Sequence, residues 1–364
     1  MNPSIQQKKQ GEFNTMTFTI SGVNVCVANA IRRTILADVP IVVFRTTPHT
    51  ENMCKIDINT TRLNNEIIKQ RLSCIPIFLK PFSMPLANLL LDVDEENQTD
   101  TIKYLTTENF KIKNIETGEY LSKEDQHTIF PANEQTRQFI DFVRLRPTLS
   151  DSVPGERLKL TCELSIGNAA ENGMFNVVSI CSYGNSPNKH LIKQELEKKQ
   201  DEWKAAGDTE EVVDFKSKDW MILDSQKIFL QDSFDFTIQT LGIYTNDELI
   251  NIACSLQIKK LKELQKNLGD VEIFQSENTM QHSFDIILQN EDYTVGKVLE
   301  YMFFSKFFGK TLSYCGFCIN HPHDPYGVIR IAYKSPPTME IIIENLGECI
   351  AEAILVYEKI KQNF

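Results

Sequence analysis

No run of this chain is apolar over the ~18 residues a helix needs to cross a bilayer. The opening residues, Met-Asn-Pro-Ser-Ile-Gln-Gln-Lys-Lys-Gln, are too polar for the core of a secretory signal and read as a loose tail. No Gly-rich phosphate loop, nucleophile–base constellation or paired metal-binding carboxylate motif stands out, so no familiar catalytic chemistry is expected. An excess of positive charge is also missing. The 38 Lys and Arg against 49 Asp and Glu leave a net charge of −11. That argues against a general phosphate-binding surface, because nonspecific nucleic-acid affinity comes mostly from basic side chains. Local basic patches remain compatible with it. The 9 cysteines are scattered, and only Cys315 and Cys318 lie close together. An odd count without a signal peptide points to free thiols in a reducing compartment.

What is present suffices for two or three domains: 364 residues, 41% of them hydrophobic. The most informative stretch is Val27-Ala-Asn-Ala-Ile-Arg-Arg-Thr-Ile-Leu-Ala-Asp-Val-Pro40. At helical spacing Val27, Ala28, Ile31, Thr34 and Ile35 share a face that can be buried. Asn29 and Arg33 lie four apart on the opposite face with Leu36 beside them, and Arg32 sits on the flank. Pro40 stops the helix. Spacing alone does not separate an ordinary surface helix from a partner-binding one.

Around this helix the chain shows a plan that occurs twice. Met16, Phe18 and Ile20 alternate with threonines in a strand, and Ile41–Phe44 is a short buried strand. Leu63–Leu72 is a short helix. Runs such as Lys111–Ile115 and Leu158–Cys162 suggest a mostly β insert, and the charge-rich stretch from His190 to Ala206 suggests a solvated helix. Asn246 is placed to cap a long helix carrying Leu249, Ala253 and Leu256. After Gly269 the pattern restarts. Strands are expected at 271–274, 284–288, 312–318 and 326–333, with a helix from Asn290 carrying Val295, Val298, Leu299, Met302 and Phe303. The last helix, Thr338–Gln362, places Met339, Ile342, Leu346, Cys349, Ala353, Val356 and Ile360 at alternating steps of three and four, as a packing seam does.

Two motifs carry a family resemblance. Ala28-Asn-Ala-Ile-Arg-Arg resembles the Asn-Ala-Leu-Arg-Arg signature of the RNA polymerase alpha family, which includes the bacterial alpha subunit, the archaeal D subunit and the third subunit of eukaryotic RNA polymerase II. Asn59-Thr-Thr-Arg-Leu-Asn-Asn-Glu-Ile-Ile-Lys-Gln-Arg-Leu-Ser-Cys-Ile-Pro-Ile77 resembles that family's second signature, with Asn65 for Asp and Ser73 for Gly. Glu171–Val178 and Phe234–Tyr244 resemble two further family segments, with Gln239 replacing a Glu. The second half resembles the family's small partner, the eleventh subunit of RNA polymerase II or archaeal L. Glu291-Asp-Tyr-Thr-Val-Gly-Lys and Tyr314-Cys-Gly-Phe-Cys-Ile-Asn-His-Pro carry that likeness, with Tyr293 and Lys297 departing.

The resemblance implies an α+β fold in which two alpha-like dimerisation units, each a sheet plus a long helix, share one chain. The first unit would be discontinuous, 11–47 and 226–269, around a mostly β inserted domain at 48–225; the second would be 270–364. The implied role is a non-catalytic assembly platform of a DNA-directed RNA polymerase. Helix 27–37 would face the second-largest (beta-like) subunit, with Asn29, Arg32, Arg33, Leu36 and Arg71 as partner-binding residues. The intramolecular interface would use Leu249, Ala253, Leu256, Leu346, Ala353, Val356 and Ile360. The largest (beta-prime-like) subunit and a small tenth-subunit-like zinc protein are the other implied partners. The union of two usually separate partners resembles that of large cytoplasmic DNA viruses, which implies viral transcription inside the cell, in the host cytoplasm, and packaging in the virion.

Two other chemistries fit the residues less well. Cys315-Gly-Phe-Cys318 matches a redox pattern but ends a strand, whereas a reactive thiol of that type sits at a helix N-terminus. Cys315, Cys318, His321 and His323 are zinc ligand types with too little loop between them to wrap a tetrahedral ion. The eukaryotic third subunit carries a four-cysteine zinc loop in its insert, but no cysteine lies between Cys74 and Cys162 here. No metal or cofactor is therefore expected. A nucleic-acid-binding module using Arg32, Arg33, Lys259 and Lys260 is the remaining alternative, and the acidic balance opposes it.

Overall fold

The computed structural model describes residues 1–364 except Phe82, Leu149, Asp151, Ser152 and Asn278. In chain order the elements begin with β1 (Ser4–Gln10), β2 (Thr15–Ser21), α1 (Val25–Ala37) and β3 (Ile41–Val43). They continue with β4 (Cys54–Asn59), α2 (Asn65–Ser73), β5 (Leu89–Glu96), β6 (Lys103–Thr106), β7 (Lys111–Asn114), α3 (Lys123–Ile129) and β8 (Asp141–Leu145). Next come β9 (Arg157–Glu163), β10 (Ser165–Gly167), β11 (Val178–Pro187), α4 (Lys189–Ala205), α5 (Glu210–Ile222), β12 (Phe229–Thr240) and α6 (Asn246–Lys266). The chain ends with β13 (Ile273–Gln275), β14 (Ser283–Gln289), α7 (Tyr293–Phe307), β15 (Leu312–Cys318), β16 (Tyr326–Tyr333) and α8 (Met339–Gln362). The fold is mixed α and β.

Two compact units result. The first comprises Met1–Ile35, Ile180–Gln239 and Asn246–Phe364; the second comprises Leu36–Ser179 and Thr240–Thr245. The second compact unit closes at Ser179, short of the 225 expected for the insert, and leaves α4 and α5 with the first.

The first unit holds two four-stranded sheets, ordered β1-β2-β12-β11 and β13-β14-β16-β15. In the first sheet the alternation of β2 buries Met16, Phe18 and Ile20, and β12 pairs with it antiparallel, burying Phe234, Phe236 and Ile238. Residues 4–10 are not a loose tail: they form β1 against β2, with Ile5 opposite Ile20 and a register shift between Gln6 and Lys9. The segment lacks apolar alternation because it is an exposed edge held by backbone hydrogen bonds, and its lysines suit an edge that must not pair further. In the second sheet Asp285 and Arg330 face each other across β14 and β16. Arg330 donates from Nε and Nη2 to the two carboxylate oxygens of Asp285, at 2.7 and 2.6 Å. Phe317 on β15 lies against Gly296 of α7 and Gly327 of β16, where an added Cβ would fall 2.3 Å from the ring. Only glycine fits at either position.

Long helices cover the sheets. α6 packs on α8, and α7 packs on α8 and β15. Asn246 does not cap α6. It is the first helical residue, and its side-chain amide donates to Asn14 O at 2.8 Å. α5, which no clear apolar period announces in the sequence, pairs with α4, and Gln200 Nε2 donates to Ser217 Oγ across that contact at 2.9 Å.

The second unit is β-rich, with sheets β4-β9-β5-β7, β6-β8 and β10-β3. Its core gathers Phe44, Phe110, Phe130 and Phe142. Phe110 meets Phe130 and Phe142 edge-on at 5.4 and 5.3 Å. The two departures from the family's second signature are accommodated locally. Asn65 Oδ1 accepts from Asn59 Nδ2 at 2.7 Å, and Ser73 shares a buried hydroxyl hydrogen bond with Thr46.

Candidate dimerisation and assembly site

The helix that carries the first signature is docked from both sides. Val27, Ala28, Ala30, Ile31, Thr34 and Ile35 are buried on α1, which is the stripe expected from the spacing, widened by Ala30. Within it Thr34 Oγ1 accepts a 2.7 Å hydrogen bond from Gln257 Nε2 of α6, and both side chains are buried. A buried amide left unpaired is costly, so this bond sets the register of α1 on α6.

The polar side of α1 is less free than the helical spacing suggests. Asn29 Oδ1 accepts from Nε and Nη2 of Arg32, at 3.0 and 2.8 Å, one turn along the same helix. Arg33 reaches α7. Its Nε donates to Thr294 Oγ1 at 2.9 Å, and its Nη2 is ion-paired with Asp292. Asp292 is the N-cap of α7, and its Oδ1 accepts from Thr294 N at 2.7 Å. Burial pushes the Asp292 carboxyl up, but the hydrogen bonds from Thr294 and the Arg33 charge outweigh it, and the net shift is downward. Arg33, placed by helical spacing on the face opposite the buried stripe, thus joins the Asn-Ala-Ile-Arg-Arg segment to the Asp-Tyr-Thr-Val-Gly segment. A side chain's face on its own helix says nothing about an element arriving from 260 residues away in the chain. Asp292 and Thr294 lie in the segment that carries the second half's resemblance, and the sequence signal for their role is an Asp in N-cap position before an apolar helical run.

The remaining sequence-derived positions divide as follows. Leu36 is half-buried. Arg71 is exposed on α2 and donates from Nε to Phe142 O at 2.7 Å and from Nη2 to Asp141 O at 3.0 Å. Along the α6–α8 seam Leu249, Ala253, Leu346, Ala353, Val356 and Ile360 are buried, and Leu256 is half-buried. At its edges Lys361 Nζ donates to Ser255 Oγ at 2.9 Å, and Lys262 lies 3.7 Å from Glu358. Glu171, one of the few matches in its segment, is ion-paired with Arg45 at 2.6 Å. Of the residues offered for nucleic acid, Lys259 lies 3.9 Å from Glu263 on α6.

Cys315 and Cys318 both lie on β15. Cys315 is half-buried, and burial pushes its thiol up to about 12, the opposite of an activated thiolate. Cys318 is exposed and lies 3.5 Å from Asn320 Oδ1. Among the described residues no three His, Cys, Asp or Glu side chains gather as metal ligands would.

The model of the RNA polymerase Rpb3/Rpb11 dimerisation domain matches residues 17–261, more than half of the chain. The chain belongs to that family. It is an alpha-like RNA polymerase subunit of the assembly and dimerisation type, and it associates with other RNA polymerase subunits. No curated protein sequence matches it significantly. The match to the Rpb3/Rpb11 domain takes in α1, most of the first sheet, the second compact unit and α6 as far as Leu261. It ends before the second sheet and α8.

Proposed function

We propose that this chain is a fused Rpb3/Rpb11-type heterodimer, an intramolecular platform on which the two large subunits of a DNA-directed RNA polymerase assemble. One observation carries the proposal. Each of two four-stranded sheets in the first unit is accompanied by a long helix, α6 after the first sheet and α8 after the second, and those helices pack together. That is the arrangement a dimerisation domain needs from two chains, supplied here by one. The buried seam residues from Leu249 to Ile360 support it, as does the Arg33–Asp292 link between segments resembling the two partner families. In this reading 11–47 with 226–269 forms the third-subunit-like part, 270–364 the eleventh-subunit-like part, and 48–225 the insert. The beta-like subunit meets the outer side of α1 through Asn29, Arg32 and Leu36, and Arg71 adds a contact from α2. The beta-prime-like subunit and a small zinc protein complete the assembly. The chain itself contributes binding geometry and no catalytic group. The single-chain union favours a viral transcription machine working in the host cytoplasm and packaged in the virion.

Affinity purification of the tagged chain from its native source tests this. The two large polymerase subunits should be recovered with it, and Arg32→Ala should lower their yield without changing the melting temperature of the isolated chain. Recovery of the chain without either large subunit would refute the platform role.

A further inference from the structure

The second unit carries a groove of which the assembly role uses only Arg71. A cavity of about 720 Å³ is lined by Arg62, Arg71, Arg144 and Arg146. These are four of the chain's ten arginines. Their grouping follows from strand register. Tyr104 of β6 lies directly opposite Arg144 of β8, and both side chains are exposed. Ile102 precedes β6 and Arg146 follows β8, each two residues from that pair, and both line the same cavity. Helix α2 and the turn before it supply Arg71 and Arg62.

The four guanidinium groups are not equivalent. Arg71 is anchored on the carbonyls of Phe142 and Asp141. Arg146 is ion-paired with Glu156, a carboxylate that is 5% exposed. Arg62 and Arg144 have no hydrogen-bond or ion-pair partner among the described residues. Beside them Ile102 and Tyr104 are 53% and 51% exposed. The groove thus offers two uncommitted guanidinium groups, each able to hold a carboxylate through paired N–H donors, next to an apolar strip.

We infer that this groove binds an acidic segment of a partner protein, in extended form. Same-face residues of an extended peptide recur every ~6.6–6.8 Å, so its alternate side chains face the groove together. Carboxylates at alternate positions meet the Arg144–Arg62 side, and an apolar side chain covers Ile102 and Tyr104. A single nucleic-acid strand fits less well. Tyr104 is a lone exposed ring among the groove residues, not a row of stacking platforms. The inference stands independently of the platform reading, since it rests on Arg62, Arg144, Ile102 and Tyr104, which that reading does not use.

Fluorescence anisotropy on the full chain tests it, with a fluorescein-labelled peptide of alternating glutamate and leucine as the probe. Saturable binding is expected, and none to the same peptide with lysine for glutamate. Arg62→Ala combined with Arg144→Ala should weaken binding about tenfold or more with an unchanged melting temperature, because neither side chain holds the fold. Tyr104→Ala provides a second, charge-neutral reading and should also weaken binding. Absence of saturable binding, affinity unaltered in both variants, or tighter binding of labelled oligothymidylate would each overturn the inference.

Discussion

The two sheets of the first unit follow one plan and are locked by different chemistry. In the first, Phe18 and Phe236 sit opposite each other on β2 and β12 and stack with ring centroids 5.1 Å apart. Phe364, beyond the end of α8, meets Phe18 edge-on at 5.0 Å, and Tyr183 of β11 meets Phe234 edge-on at 5.5 Å. In the second sheet the corresponding cross-strand lock is the Asp285–Arg330 pair, with Ser276 Oγ also bonded to Asp285. Stacked rings stabilise in proportion to the apolar area they bury and are indifferent to pH. A two-pronged ion pair is directional, so it specifies register, and it fails when its carboxylate is protonated. Sheets of similar plan can therefore be broken by different means, one by a cavity and the other by acid.

The largest effect should come from the first sheet. Phe236 is 1% exposed and in contact with two other rings. Phe236→Ala should cost ~3–5 kcal/mol in chemical denaturation, the sum of lost transfer energy and the cavity left behind. That loss should be the same at pH 7 and pH 5, because no titrating group is involved.

The second sheet should lose less and lose it differently. Burial raises the Asp285 carboxyl, but hydrogen bonds from Arg330 and Ser276 and the Arg330 charge bring it below its ordinary value. A carboxyl lowered in the folded state binds protons more weakly than in the unfolded chain. Its contribution is therefore fully present above the unfolded value and is lost as the pH falls through the folded one. Asp285→Asn should cost ~1–3 kcal/mol at pH 7, where it leaves Arg330 without its charge partner. The gap between the native chain and the variant should then narrow below about pH 4, where the native carboxyl is also being neutralised. A gap that stays constant from pH 7 to pH 3 would show that the pair acts by shape and not by charge.

Which features could be read from sequence follows the same division between local and distant causes. The buried stripe of α1, the strands 312–318 and 326–333, and α8 with its apolar seam rest on patterns within one element, and these were legible. The edge strand β1 was not, because its pairing with β2 involves backbone groups that leave no trace in side-chain pattern. Asn246 looked like a cap because its residue type permits it, yet its amide is claimed by Asn14. Arg33 looked outward because nothing in its helix announces Asp292. The arginine groove of the second unit was invisible for the same reason: Arg62, Arg71, Arg144 and Arg146 are spread over 85 positions, and only the β6–β8 register and the placing of α2 assemble them.

The smallest effect, and one of opposite sign, concerns the helix that serves both sheets. Tyr357 on α8 is fully buried, and its hydroxyl has no hydrogen-bond partner among the described residues. Burial holds its phenol well above the usual value, with the nearby Cys26 and Cys254 thiols adding to the shift. Its ring fills the core between α8 and its neighbours, so the ring is worth keeping and the hydroxyl is not. A buried hydroxyl without a partner carries its full desolvation cost and returns nothing. Tyr357→Phe keeps the ring volume and removes that cost, so the chain should become more stable by about 1 kcal/mol, with a raised melting temperature. The gain should appear equally in the Phe236→Ala and Asp285→Asn backgrounds, since it depends on neither lock. A loss of stability instead would mean that the hydroxyl is satisfied, by an ordered water or by a sulfur of the two cysteines. Tyr357 would then be a polar lock of the same kind as Asp285, placed in the helix and not in the sheet.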